Sequence, residues 1–122
     1  MKGKILVIED VIEMSQLVCM YMENAGFTTQ SAETAEDAIN LLKGGYTPDL
    51  VLLDLNLPGM SGLEFLKQFR ADYKATIPVI IVSARDADED IITGLGYGAD
   101  EFVTKPFSPR VLVAREIGRA HV

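Results

Sequence analysis

"DLVLLDLNLPG", residues 49–59, is the stretch that decides the fold. Pro48 precedes it and Pro58-Gly59 closes it, so the apolar run Leu50-Val51-Leu52-Leu53 is short, as a strand is. All four side chains suit burial. A strand buried on both faces belongs in the middle of a parallel sheet with helices above and below it. Asp54 then ends the run with a carboxylate, where desolvation opposes the charge. A charge in that place needs a reason.

Outward from this strand, strand and helix patterns alternate. "KILVIE" (Lys4–Glu9) reads as a buried strand, and Val11–Ala25 carries Met14, Leu17, Val18, Tyr21, Met22 and Ala25 at helical spacing before Gly26 stops it. "FTTQSA" (Phe27–Ala32) is more polar, as an edge strand would be. Thr34 caps a helix through Lys43, with Ala35, Ala38, Ile39 and Leu42 on one face and Asp37 at the capping-box position. The strand Asp49–Asp54 leads to a helix over Ser61–Tyr73, and "IPVIIVS" (Ile77–Ser83) is a fourth strand. A fourth helix, acidic at its start, contains Ile91, Ile92 and Leu95. "EFVT" (Glu101–Thr104) is the fifth strand, and Ser108-Pro109 supplies the cap and first residue of a last helix. Five such units predict an α/β fold: a doubly wound five-stranded parallel sheet, right-handed crossovers, helices on both faces. The expected strand order is 2-1-3-4-5, the flavodoxin-like winding, in which ligands sit beyond the carboxyl ends of the strands.

Composition bounds the function. At 122 residues the chain is long enough for one compact domain, and 48% hydrophobic residues exclude a disordered chain. The single cysteine, Cys19, excludes a disulfide framework, favours a cytoplasmic address and reads as a small buried hydrophobe of the first helix. The charged N-terminus carries too short an apolar stretch for a signal peptide or a membrane span. A net charge of −7 argues against this domain itself gripping nucleic acid.

The expected strand ends carry the chemistry. Strand 1 ends in Glu9-Asp10, strand 3 in Asp54, strand 4 in Ser83, and strand 5 is followed by Lys105. Taken singly, each has an ordinary explanation: an Asp after a strand often makes an Asx-turn, and Ser83 could cap a helix. Together they bring three carboxylates, one hydroxyl and one ammonium to one patch. Clustered carboxylates repel, so some must be protonated or share a cation, and one lysine is too little for three. Mg²⁺ fits, because it prefers oxygen ligands and often takes one or two carboxylates plus a phosphate. Mg²⁺ with a lysine suits phosphoryl oxygens, and a carboxylate can itself be the nucleophile that forms an aspartyl-phosphate. Asp54 is the carboxylate placed to be phosphorylated.

Four motifs carry a family resemblance: "IED" (Ile8–Asp10), "LLDLNLPGMSGLEF" (Leu52–Phe65), "IIVSAR" (Ile80–Arg85) and "GADEFVTKPFSP" (Gly98–Pro109). In this order and spacing they resemble the receiver domain of two-component response regulators, over Ile5 to Arg115. The resemblance implies that Asp54 is the phosphoacceptor, served by a sensor histidine kinase, with autodephosphorylation the only turnover. It implies Mg²⁺ on Asp10, Asp54 and the main-chain carbonyl of Asn56, with Glu9 acting through water. It makes Ser83 the hydroxyl that turns to the phosphoryl group, Lys105 the lysine that bridges to it, and Phe102 the switch aromatic. It makes Lys105-Pro106 a cis peptide. "VTKPFSPR" (Val103–Arg110) resembles receivers that precede a winged-helix DNA-binding domain and form homodimers through helix 4, strand 5 and helix 5. Ile92, Leu95, Glu101 and Arg115 are the interface residues this implies, Glu101 and Arg115 matching an intersubunit ion pair. Ile91 and Val111 stand where another pair would need a basic and an acidic residue, and Gly96 replaces a further acidic one.

Other functions fit less well. A stand-alone phosphorelay or chemotaxis-type receiver, acting by protein–protein contact alone, has the same site. A haloacid-dehalogenase-type phosphatase also uses a strand-end Asp with Mg²⁺, but would need an Asp where Asn56 stands. "GLGYGA" (Gly94–Ala99) is glycine-rich but follows a helix, so it reads as a helix stop rather than a nucleotide loop. The final "EIGRAHV" (Glu116–Val122) breaks the last helix's pattern, placing Glu116 where an apolar residue belongs and Gly118 two residues on. A widely used short-read sequencing adapter, AGATCGGAAGAGCACACGTCTGA, preceded by one G, translates as the same seven residues and then a stop. The expectation is therefore a receiver over residues 1–115 and a non-native tail over 116–122, with the output domain missing and DNA contacted only through that domain.

Overall fold

The computed structural model describes residues 3–73 and 76–120, with Tyr73 and residues 116–120 described by backbone alone. Along the chain run β1 (Lys4–Ile8), α1 (Ile12–Asn24), β2 (Thr28–Ala32), α2 (Ala35–Lys43), β3 (Leu50–Leu53), α3 (Gly62–Tyr73), β4 (Val79–Ser83), α4 (Asp88–Gly96), β5 (Glu101–Thr104) and α5 (Pro109–Ala120). The strands form one parallel sheet in the order β2-β1-β3-β4-β5, the winding the alternation predicts. In register, Ile8 lies opposite Leu53, Leu53 opposite Ile81, and Ser83 opposite Thr104, so the carboxyl ends of the strands emerge on one edge.

Both faces of the sheet are covered, which is why its central strands are continuously apolar. Leu6, Ile8, Val51, Leu53, Val79 and Ile81 point to one layer, where Ala38 and Leu42 of α2 and Phe65, Leu66 and Phe69 of α3 pack. Ile5, Val7, Leu50, Leu52, Ile80 and Val82 point to the other, against Val18 and Met22 of α1 and Leu112 of α5. Local chemistry sets the helix starts. Thr34 Oγ1 accepts from the Asp37 amide at 3.0 Å, Ser61 Oγ from the Glu64 amide at 3.2 Å, and Ser108 Oγ from the Val111 amide at 3.4 Å.

Two details of α1 differ from the sequence reading. Leu17, assigned to the buried face, is exposed, while Ser15 is buried with Val18 and Met22. The helix offers two stripes at helical spacing, 14/17/21 and 15/18/22, and the second docks on the sheet despite its serine. Cys19 is half-buried at the margin of that layer rather than within it. The expectation that residues 116–122 are a non-native tail, packed less well than the helix before it, concerns side chains outside the described residues.

The turn from β3 into α3 is held by backbone proximity. The Gly62 amide donates to the Leu55 carbonyl at 3.1 Å, and a Cβ on Gly62 would lie 2.4 Å from the Asp54 carbonyl oxygen and 2.7 Å from Leu55 Cα. Those are backbone atoms that no side-chain rotation relieves. Gly62→Ala should therefore destabilise the domain by about 1–3 kcal/mol, the usual cost of overpacking. Gly96→Ala, where an added Cβ meets nothing within 4 Å, should instead stabilise it by about 0.4–1 kcal/mol. Urea unfolding of the two variants checks both signs.

Candidate functional site

The ladder of the sheet continues one residue past its strands. The Asp54 amide donates to the Ile8 carbonyl at 3.0 Å, Glu9 to Ala32 at 3.0 Å, and Lys105 to Ser83 at 2.8 Å. Glu9, Asp54 and Lys105 are thereby fixed at the sheet edge with their side chains converging. Glu9 and Asp54 are buried, Ser83 is wholly buried, Lys105 is mostly covered and Asp10 is exposed.

Each buried carboxylate uses one oxygen on the backbone and one on the lysine. Asp54 Oδ1 accepts from the Asn56 amide at 3.1 Å, an Asx-turn, and Oδ2 accepts from Lys105 Nζ at 3.1 Å. Glu9 Oε2 accepts from the Val11 amide at 3.2 Å, and Oε1 from Lys105 Nζ at 2.8 Å. The local turn and the charge cluster are both present, so the ordinary explanation of Asp54 is true without being sufficient. Carboxylate oxygens of Glu9, Asp10 and Asp54 all lie within 4.8 Å of one another. One ammonium thus serves two buried anions, and a third anion stands at the mouth.

The titration behaviour follows from this imbalance. Burial, reinforced by the Asp54 charge, pushes the Glu9 carboxyl above the usual range, against the pull of Lys105 and the Val11 amide. Burial works against the Lys105 charge, but the hydrogen bonds to Glu9 and Asp54 outweigh it and hold the ammonium above its usual value. A site short of positive charge, built only from oxygen donors and partly open, fits a hard divalent cation such as Mg²⁺. The carboxylates of Glu9, Asp10 and Asp54 are close enough together to hold it.

Ser83 Oγ accepts from the Arg85 amide at 3.1 Å. Phe102 is partly buried beside Ile81 and Gly94 of α4; a Cβ on Gly94 would come 2.7 Å from Ile81 Cδ1 and 3.3 Å from the Phe102 ring. The Lys105-Pro106 peptide is cis. Ile92 and Leu95 are exposed on α4. Arg115 Nη1 bonds Glu101 Oε2 at 2.7 Å, so the pair expected between subunits closes here within one chain.

The sequence reading missed two arginines. Arg85 Nε donates to Asn56 Oδ1 at 2.9 Å, joining the loop after β4 to the loop after Asp54; its only signal was its place in "IIVSAR". Arg70 donates to the carbonyls of Gly98 and Ile77 and pairs with Asp100 at 3.2 Å, bracing the opposite end of the sheet. Among the described residues no helix is long and apolar enough to cross a membrane.

The chain as a whole matches known proteins. The family model described as the response regulator receiver domain matches residues 5–116. This chain belongs to that family. It is 45% identical over 116 residues to the phosphate regulon transcriptional regulatory protein PhoB of Escherichia coli, covering 94% of this chain and 50% of that protein. The chain thus spans about half the length of the curated relatives it matches. The receiver domain of the Francisella response regulator 1452 superposes with a TM-score of 0.88 at 33% identity, covering 98% of this chain and 96% of that one. The beryllofluoride-activated receiver of Klebsiella pneumoniae RstA gives 0.86 at 28% identity, covering 98% and 99%. The domain is accordingly a phosphoacceptor receiver and not a conventional enzyme, and its acidic triad is of the kind receivers use for Mg²⁺.

The receiver's lysine is needed for stability before any phosphorylation. Replacing Lys105 with Met leaves two buried carboxylates without their shared donor and should cost about 1–3 kcal/mol in metal-free buffer, the scale of charged hydrogen bonds. Adding Asp54→Asn to that variant should recover part of the loss, because one of the two repelling charges is gone. Chemical denaturation in the presence of a chelator measures both steps.

Proposed function

We propose that Asp54 accepts a phosphoryl group from the phosphohistidine of a sensor kinase, and that the resulting charge switches the face formed by α4, β5 and α5. The observation that carries this reading is the sharing of Lys105 Nζ between Glu9 and Asp54 at 2.8 and 3.1 Å, beside the exposed Asp10. Asp54 Oδ1 is held by the Asn56 amide, so the carboxylate has a fixed aim. An Asp54 oxygen attacks phosphorus, the P–N bond breaks, and the electron pair leaves with the imidazole. Lys105 stabilises the charge that spreads over the phosphoryl oxygens. Asp10, Asp54 and the Asn56 carbonyl would hold Mg²⁺, with Glu9 in support, and the ion would supply the remaining positive charge.

The new group adds roughly −1.5 to −2 charge and strong acceptors. Ser83, now accepting from the Arg85 amide, turns its hydroxyl toward the phosphoryl group, and Phe102 moves into the space this vacates beside Gly94. Such a two-state element needs only a modest bias at the site. The half-length match to transcriptional regulators supports a DNA-binding output domain outside this chain and a cytoplasmic setting. Exposed Ile92, Leu95 and Val111 support homodimer formation through the switched face, with Glu101 and Arg115 exchanging their internal pair for one between subunits.

Mass spectrometry after incubation with Mg²⁺ and acetyl phosphate should show one added phosphoryl group, absent in Asp54→Asn. Lys105→Met should slow the transfer by about 10²–10³-fold, as loss of a charge-stabilising donor does. Phosphorylation that survives in Asp54→Asn at the same site sinks the assignment. For the output, sedimentation of the beryllofluoride-bound domain should reveal a dimer, and a strict monomer at high concentration counts against that part of the reading.

A further inference from the structure

Arg85 takes no part in the phosphoryl chemistry described so far, yet it touches Ser83, Asn56 and the start of α4. Its amide donates to Ser83 Oγ at 3.1 Å, its Nε donates to the Asn56 side-chain oxygen at 2.9 Å, and its Nη1 lies 3.8 Å from Asp90 Oδ1 in the first turn of α4. Asn56 in turn donates its amide to Asp54 Oδ1, so the guanidinium stands two hydrogen bonds from the phosphoacceptor. The Arg85 side chain is 42% exposed and free to turn. We infer that Arg85 is a latch residue, parked on Asn56 and Asp90 before phosphorylation and drawn onto the phosphoryl group after it, so that the first turn of α4 loses its tether.

The energetics favour that transfer. Asn56 offers one neutral amide oxygen, whereas a phosphoryl group offers several charged oxygens that a guanidinium can bind in a bidentate pair. The Asp90 pair is long and solvent-exposed, and pairs of that kind contribute little, so releasing it costs little. The start of α4 is poorly secured otherwise. Its capping residue, Ala87, makes no side-chain hydrogen bond, and the first turn carries Asp88, Glu89 and Asp90. Among the described residues, Arg85 is the cation that pairs with this acidic turn. At the far end, α4 is anchored, because the Gly98 carbonyl just beyond it accepts from Arg70 at 2.8 and 3.0 Å. A helix pinned at its end and tied at its start by one arginine can swing when that arginine leaves.

This inference rests on Asp54 accepting the phosphoryl group, and the test separates the two. The side-chain Nε–H signal of Arg85 is recorded in ¹⁵N-labelled protein and assigned by its loss in Arg85→Ala. In Mg²⁺ alone, Asn56→Ala, which keeps the main-chain carbonyl, should shift that signal. Beryllofluoride should move it in the unaltered protein, and its position should then no longer respond to Asn56→Ala. Arg85→Ala should weaken beryllofluoride binding on the order of tenfold, with Arg85→Lys recovering part, as expected for a lost charge-assisted contact. Without beryllofluoride, Arg85→Ala should also speed hydrogen exchange at the Asp90 and Ile91 amides about threefold, the scale of an exposed ion pair. Normal beryllofluoride binding with an Arg85 signal that stays in place overturns the latch alone. A domain that takes no beryllofluoride overturns the phosphoacceptor reading and the latch with it.

Discussion

One ammonium group between two buried carboxylates is the constraint around which this receiver is organised. Lys105 Nζ bonds both Glu9 and Asp54, and without it two anions would face each other at an edge from which water is largely excluded. The sheet supplies the rigidity that this arrangement needs. Each of the three residues lies just beyond a strand, and each has its amide bonded to a carbonyl of the adjacent strand or its end. The site is therefore as stiff as the sheet, which suits a reaction that depends on positioning more than on covalent chemistry.

The imbalance of charge is what makes the site useful. Two carboxylates satisfied by two ammoniums would be a structural ion pair. Three acidic side chains with one ammonium leave a deficit of the kind that suits a divalent cation. Loops do the responding, because the strands cannot. Ser83 sits at the end of β4 with its hydroxyl accepting from the amide two residues on, a local contact that is easily exchanged. Asn56 and Arg85 link the two loops that border Asp54, and Arg85 reaches on to α4.

Rigid and movable parts are divided along the chain axis of the sheet. At the amino-terminal edge, Arg70 braces the carbonyls of Gly98 and Ile77, and Asp100 accepts from the Val79 amide at 2.8 Å. At the carboxyl edge the strand ends are bonded as firmly, but the loops beyond them are joined by exposed side chains such as Arg85. Those loops and the first turn of α4 are thus the part of the fold held less tightly.

By itself the sequence determined the architecture and which polar side chains gather at its edge. Alternating runs such as Leu50–Leu53 and Ile80–Val82, each buried on both faces, admit only a covered parallel sheet, and that topology gathers strand ends at one edge whatever the loops do. Glu9, Asp10, Asp54, Ser83 and Lys105 were legible because strand termini are fixed by short-range patterns. Which stripe of α1 docks was not legible, since Leu17 and Val18 are equally apolar and only contact with the sheet chose between them. Nor was the role of Arg85 or Arg70, because a long flexible side chain finds its partner across 29 or 28 residues of sequence, and no local spacing encodes that reach. The Glu101–Arg115 pair shows the same limit: the sequence named two complementary charges, and the packing of α5 beside β5 let one chain close the pair on itself.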